Sequence, residues 1–387
     1  MWYFDSPKIV FGEGALAHLQ EIEGRRAFIV SDENLVALGL VKAARDHLAK
    51  AGLDSDIFSQ VEPDPSLETV IRGAQAMAEY KPDWIVGLGG GSCMDAAKAM
   101  WVLYERPNIK PEAINPIETL GLRQKARLIA IPTTAGTGAE VTWMIVLTDT
   151  REERKLGLGS RENLADIAIV DPSLTKDMPP RLTAATGLDA LTHALEGYVS
   201  SWGNDFSDGP CLKAAHLIFQ YLPRAYEDGS DEEAREKMSN AATLAGLGFG
   251  NSMAGLAHSM GHALGGVFHT PHGRAVGLFL PFTIEYAARE NAGRYAEIAR
   301  YLGLPAQTEA EGAGSLVHAI RELMETLEQP MSLRDLGIER QILEERMEKL
   351  IENAENEATT VVHPRIPAAE ELERLFTYAH EGREIDF

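Results

Sequence analysis

The chain has 387 residues, 45% hydrophobic and 24% charged, an ordinary globular balance with length for about two domains. Lys and Arg number 36 against 58 Asp and Glu, a formal charge of −22 that repels phosphate backbones and anionic lipid. This excludes nucleic acid as the main partner and argues against a membrane surface. Two cysteines, Cys93 and Cys211, cannot build a disulfide framework or a cysteine zinc site. The start, Met1-Trp2-Tyr3-Phe4-Asp5, lacks a basic leader, and no apolar run reaches membrane-spanning length, which predicts a cytoplasmic protein.

In chain order, Ala27-Phe28-Ile29-Val30 reads as a strand closing on Ser31-Asp32, followed by a helical pattern through Leu48. Asp83 to Leu88 is a second strand that runs into three glycines and then a helix. Arg127 to Pro132 and Ala168 to Asp171 are a third and a fourth. Short buried strands separated by helices predict a parallel sheet, whose ligand lies beyond the carboxyl ends of the strands. Those ends carry Asp32, the triple glycine and Thr133-Thr134. Near Met178-Pro179-Pro180-Arg181 the pattern turns helical, as in Leu188, Leu191, Leu195 and Tyr198. Charge-rich helices at 231–238, 339–351 and 367–375 read as solvated faces. The expectation is an α/β domain over residues 1–179 followed by an all-α domain over 180–387.

Gly87-Leu88-Gly89-Gly90-Gly91-Ser92 sits between strand and helix, where backbone N–H groups can hold a pyrophosphate. Ser92 breaks the strict dinucleotide fingerprint, so the alternative is a glycine turn with Ser92 and Asp95 as capping partners. A second loop of small residues, Pro132 to Gly138, offers Thr133, Thr134 and Thr137 to the same ligand, or merely turns the chain. Asp32 is placed either to accept from a ribose hydroxyl or to cap the next helix.

Histidine spacing is the stronger signal. Of 11 histidines, His258, His262, His269 and His272 fall close together, and His258/His262 lie one helical turn apart. Asp189/His193 repeat that spacing. Two such pairs plus a later histidine suit a divalent metal, and spacing alone leaves open which four of the six bind.

These motifs closely resemble the iron-containing (group III) alcohol dehydrogenase family. The resemblance rests on Gly89-Gly90-Gly91-Ser92 with Asp95 and Lys98, on Pro132 to Thr142, on Gly187 to Tyr198 and on His258 to Pro281, and begins at Pro7 to Gly12. It implies a Rossmann-like N-terminal domain and a helical metal-binding domain in a dehydroquinate synthase-like architecture. It implies that Asp189, His193, His258 and His272 hold the metal, and that His262 is a non-ligand histidine beside the nicotinamide. Gly89, Gly90, Gly91, Ser92, Asp95, Thr133, Thr134, Thr137 and Lys155 match cofactor-contacting positions, and Asp32 the acidic residue that favours NAD over NADP. His269 matches no ligand position and is read as a pocket-lining or supporting group.

Three departures from the family pattern bear on function. Cys93 stands at a usual proline, and a thiol at a helix N-terminus is expected to become somewhat acidic and oxidisable. Met144 replaces a polar residue of some relatives, which argues against a diol or polyol. In Thr359 to Arg365, His363 stands at a usual asparagine. Met144, Phe249 and Thr359 are the candidate substrate-pocket residues, and Trp143 and Val361 add apolar surface.

The expected activity is metal-dependent, NAD(H)-linked interconversion of short- to medium-chain primary alcohols and aldehydes. The metal is Fe2+, with Zn2+, Mn2+ or Ni2+ also suited to an Asp/His₃ set. The family implies a homodimer or higher homo-oligomer. Alternatives on the same fold are a glycerol dehydrogenase, a maleylacetate reductase and a non-redox lyase relative; a metal-dependent binding or storage protein would need no cofactor loops.

Overall fold

The computed structural model describes residues 3–387, so Met1 and Trp2 of the leader reading lie outside the described residues. The chain divides into two compact units, Met1–Met178 and Pro179–Phe387. In the first, β1 (Lys8–Phe11), β2 (Arg26–Val30), α1 (Glu33–Ala37), α2 (Leu40–Lys50), β3 (Asp54–Phe58), α3 (Leu67–Tyr80), β4 (Trp84–Gly89), α4 (Gly91–Glu105) and β5 (Arg127–Pro132) follow one another. A hairpin, β6 (Met144–Asp149) and β7 (Arg154–Gly159), precedes β8 (Ile167–Val170).

Six strands form one parallel sheet in the order β1-β8-β5-β4-β2-β3, as the strand-and-helix alternation predicts. Its central strands are apolar throughout because both faces are covered. Phe28, Val30, Ile85 and Leu128 point into one core with Met100 and Trp101 of α4, while Ile29, Val86, Ile129 and Ile131 point into the other with Leu48 of α2. Strand order reverses between β2 and β4, and their carboxyl ends carry Asp32 and Gly89. That is where open α/β sheets bind ligands. The helical pattern from Asp32 to Leu48 is two helices, because Gly39 takes a left-handed φ of +80° between them.

The second unit is helical: α5 (Pro180–Val199), α6 (Asp205–Glu227), α7 (Glu232–Phe249), α8 (Leu256–Phe268), α9 (His272–Ala288), α10 (Gly293–Tyr301), α11 (Glu309–Thr326), α12 (Arg340–Glu355) and α13 (Ala369–Glu381). Leu256, Met260, Leu264, Phe279 and Phe282 pack with Leu350, Leu372 and Phe376 in a core beneath α8 and α9. Among the described residues no helix is long and apolar enough to cross a membrane.

Candidate active site

In the first unit β4 ends at Gly89, whose φ of +154° suits glycine, and α4 starts after Gly90 with no side chain capping its first turn. The positive end of α4 is therefore left to backbone N–H groups, a ready anion site. The capping alternative for Ser92 and Asp95 does not form: the Ser92 hydroxyl accepts from Asp64 N–H at 3.2 Å. Asp95 is buried, one oxygen taking Val146 N–H at 2.9 Å and the other Lys98 Nζ at 3.3 Å. It ties α4 to the β6–β7 hairpin, and fully buried Lys98 adds a 2.8 Å bond to the Met144 carbonyl.

The second loop lies directly on the first. Thr133 N–H donates to the Gly89 carbonyl at 3.0 Å, and a Cβ on Gly91 would sit 2.8 Å from Thr137 Cγ2. Thr134 lies 3.5 Å from where a Gly90 Cβ would be. Lys155 on β7, its side chain buried, reaches Asp64 Oδ1 at 2.6 Å. Asp64 thus joins Ser92 and Lys155, two of the residues matched to the cofactor, and sequence reasoning missed it. The available signal was Pro63-Asp64-Pro65, a turn in which Asp64 takes a φ of +55°.

Asp32 caps α1, Oδ1 accepting from Leu35 N–H at 3.0 Å, while Oδ2 lies 3.6 Å from Cys93 Sγ. The cap and the proximity to the glycine loop therefore coexist. The expectation of an acidic thiol at Cys93 is overturned: burial and the adjacent Asp32 carboxylate push it well up.

In the second unit α5 carries Asp189 and His193 one turn apart, α8 carries His258 and His262, and His272 opens α9. Glycines let these helices approach: a Cβ on Gly273 would lie 2.3 Å from the Ala185 carbonyl oxygen, and one on Gly261 2.6 Å from Val276. Asp189 Oδ1 stands 3.6 Å from His193 Nδ1, 3.6 Å from His258 Nε2 and 3.3 Å from His272 Nε2. Donor atoms of Asp189, His258 and His272 all fall within 4.8 Å of one another. His193 lies outside that tight trio, its ring stacked on Phe249 at 3.9 Å and 4.3 Å from the His258 ring.

Asp189 Oδ1, His193 Nδ1 and His258 Nε2 are buried without a hydrogen-bond partner. Such orphaned donors facing one another are costly unless an ion satisfies them, so the group fits a divalent metal. Burial opposes the Asp189 charge, but His193 and His272 outweigh it and hold the carboxyl well below the usual range. Burial pushes His193 well down, toward the neutral form that ligates. Burial also disfavours charge on His258, yet the two carboxylates beside it, Asp189 and Glu196, raise it to about 9.

Glu196 accepts from His258 Nδ1 at 2.6 Å and from the N–H groups of Gly255 and Ala257 at 2.8 and 2.6 Å. That bond turns His258 Nε2 toward Asp189. The sequence signal was there, since Glu196 is seven residues beyond Asp189 on one helix face. His262 Nδ1 meets Glu357 Oε1 at 3.0 Å, leaving Nε2 without a protein partner. Glu357 is 95 residues away in sequence, and no local pattern announces it.

His363 is buried, and its Nδ1 accepts from Leu256 N–H at 3.4 Å; burial lowers it to about 4, so it is a neutral acceptor at the start of α8. Thr359 bonds Ser259 Oγ at 2.7 Å within α8, engaging its hydroxyl. Phe249 is nearly buried against His193, and Val361 is exposed. His269 is exposed and ends α8 at a left-handed φ of +54°.

A parallel nucleotide-type sheet with an open glycine loop, and a helical unit with a buried Asp/His group, define the class of metal-dependent dehydrogenases. The family described as "Iron-containing alcohol dehydrogenase" matches residues 6–172, and "Fe-containing alcohol dehydrogenase family, C-terminal" matches 183–380. The chain is 39% identical to the NADPH-dependent butanol dehydrogenase of Clostridium saccharobutylicum over 390 residues, covering 100% of both. It spans about half the length of the bifunctional aldehyde-alcohol dehydrogenase of Escherichia coli K12, 47% of that protein at 38% identity. Among solved structures, a 1,3-propanediol oxidoreductase superposes with a TM-score of 0.92 at 33% identity, covering 98% of this chain and 100% of that one. The sulfoacetaldehyde reductase of Bifidobacterium kashiwanohense, in complex with NAD+, gives 0.87 at 28% identity, with 98% and 99% covered. The chain belongs to the iron-containing alcohol dehydrogenase family.

Proposed function

We propose that this alcohol dehydrogenase interconverts short- to medium-chain primary alcohols and their aldehydes with NAD(H). We assign Asp189, His193, His258 and His272 as the iron ligands and His262 as the proton-handling group. The reading extends to a cytoplasmic homodimer or higher homo-oligomer. The observation that carries the metal assignment is the set of buried, unpartnered donor atoms on Asp189, His193 and His258. Three imidazoles and one carboxylate would hold a divalent ion with net positive charge to spare. A metal held there supplies Lewis-acid polarisation of the substrate oxygen.

The residues of the chain then divide the remaining work. Glu196 fixes the ring of His258, and Glu357 fixes that of His262 so that Nε2 is free to exchange a proton with the substrate side. Asp32, the Gly89–Gly91 loop, Ser92, Thr133, Thr134, Thr137 and Lys155 are assigned to the dinucleotide, whose nicotinamide supplies or takes the hydride. Asp95 is assigned with them, and it ties α4, the helix that follows that loop, to the β6–β7 hairpin. Phe249 and Thr359 in the helical unit, and Met144 in the first unit, are each assigned to contact substrate, and the apolar character of Phe249 and Met144 favours unsubstituted carbon chains. The relative named for butanol supports a linear alcohol over a polyol or an acid.

A panel of aldehydes of two to eight carbons with NADH, set beside glycerol oxidation, tests the substrate class. Linear aldehydes are expected to exceed glycerol in kcat/KM by about tenfold or more, the scale on which an apolar pocket discriminates. A preference for glycerol would move the enzyme to the polyol branch of the fold.

A further inference from the structure

Asp32 is held from two sides. Its Oδ1 receives Leu35 N–H at 3.0 Å and its Oδ2 lies 3.6 Å from Cys93 Sγ, so the end of β2 is joined through one carboxylate to the first turn of α4. The thiol has no room to leave. It packs on Gly89, where an added Cβ would lie 2.6 Å from Cys93 Sγ and 3.2 Å from Leu35 Cδ1. Cys93 is 2% exposed, whereas Asp32 is half-buried and keeps an open side. A carboxylate offers about four acceptor sites, so two remain for ribose hydroxyls after these contacts.

We propose that Cys93 is a positioning residue for coenzyme choice: its thiol donates to Asp32 Oδ2 and pins the carboxylate where it accepts an unphosphorylated adenosine ribose and repels a 2′-phosphate. The proposal rests on the assignment of Asp32 to the coenzyme. Beside a carboxylate and away from water the thiol keeps its proton, as a donor must. A pinned carboxylate cannot swing aside for an incoming phosphate, and close like charges are costly. Proline, the residue that the family resemblance places at this position, has no proton to give, so Asp32 would be tethered by its cap alone.

The test is the ratio of kcat/KM for NADH to that for NADPH in the metal-loaded enzyme and in C93A, C93P, C93S and D32A. C93A and C93P are expected to lower the ratio by about threefold or more, the worth of one hydrogen bond, chiefly through the KM for NADH. C93S, which keeps a donor, stays within about twofold of the parent. A ratio unchanged in C93A, or a fall in C93S as large as in C93A, overturns the proposal, since packing alone would then explain the residue. In D32A the ratio falls by about tenfold or more, and adding C93A lowers it no further. A further fall would show Cys93 acting by another route and overturn the inference alone. An unchanged ratio in D32A would instead remove the Asp32 assignment itself. Should the cysteine variants fail to fold, the S–H infrared stretch of Cys93, read in a C211A background that leaves one thiol, reports directly: it must shift when D32A removes the acceptor, and an unmoved band contradicts the bond.

Discussion

Alanine or asparagine at Asp189 leaves a protein that retains no iron and reduces aldehydes slower by a factor on the order of a thousand, the scale of several kcal/mol of lost Lewis-acid stabilisation. Asp189 Oδ1 is the atom that His193, His258 and His272 all face, at 3.3 to 3.6 Å. The asparagine variant keeps the volume and removes the charge, so equal loss in both separates ligation from packing. Without the carboxylate, three imidazoles face one another with no anion among them, and a divalent ion would be held by neutral nitrogens alone. Metal analysis of the purified variants, alongside NADH oxidation, reads both consequences. Retention of iron in the asparagine variant at parental stoichiometry would place the ligand set elsewhere.

Replacing His262 by alanine has the opposite signature. The metal stays, while kcat falls by about 10² to 10⁴, the usual contribution of a positioned proton-transfer group. His262 shares α8 with His258 and lies 5.1 Å from the His272 ring, yet its Nδ1 is committed to Glu357 at 3.0 Å and its Nε2 has no protein partner. With one nitrogen fixed by a carboxylate and the other open, His262 is the group we propose for proton transfer. Loss of iron from this variant would show that His262 is a ligand after all.

Much of this arrangement was legible in the sequence, for definite physical reasons. The central strands β2, β4, β5 and β8 are covered on both faces and read as unbroken apolar runs. Edge strands carry no such signature: β3 reads Asp-Ser-Asp-Ile-Phe and pairs on one side only. The β6–β7 hairpin likewise escaped the pattern, although it supplies Lys155. The histidine pairs were visible because helical spacing of four residues puts side chains on one face. Glu357, Asp64 and the seat of His363 depend on contacts between distant segments, and no periodicity reports those.

Cys93 shows where a local rule fails. A helix N-terminus lowers a thiol's pKa, but here burial and a carboxylate neighbour act the other way and prevail. His269, which matches no ligand position, has a local role no pattern announced: at a left-handed φ it turns the chain out of α8.

The account stands on the metal at Asp189, His193, His258 and His272. Its most direct test is the metal content of the purified enzyme, followed by NADH oxidation with butanal before chelation, after it, and after Fe2+ or Zn2+ is restored. About one ion per chain, with activity lost on removal and regained on restoration, is the predicted result. Undiminished aldehyde reduction by fully metal-free protein would contradict it and leave the buried Asp/His group without its chemical purpose.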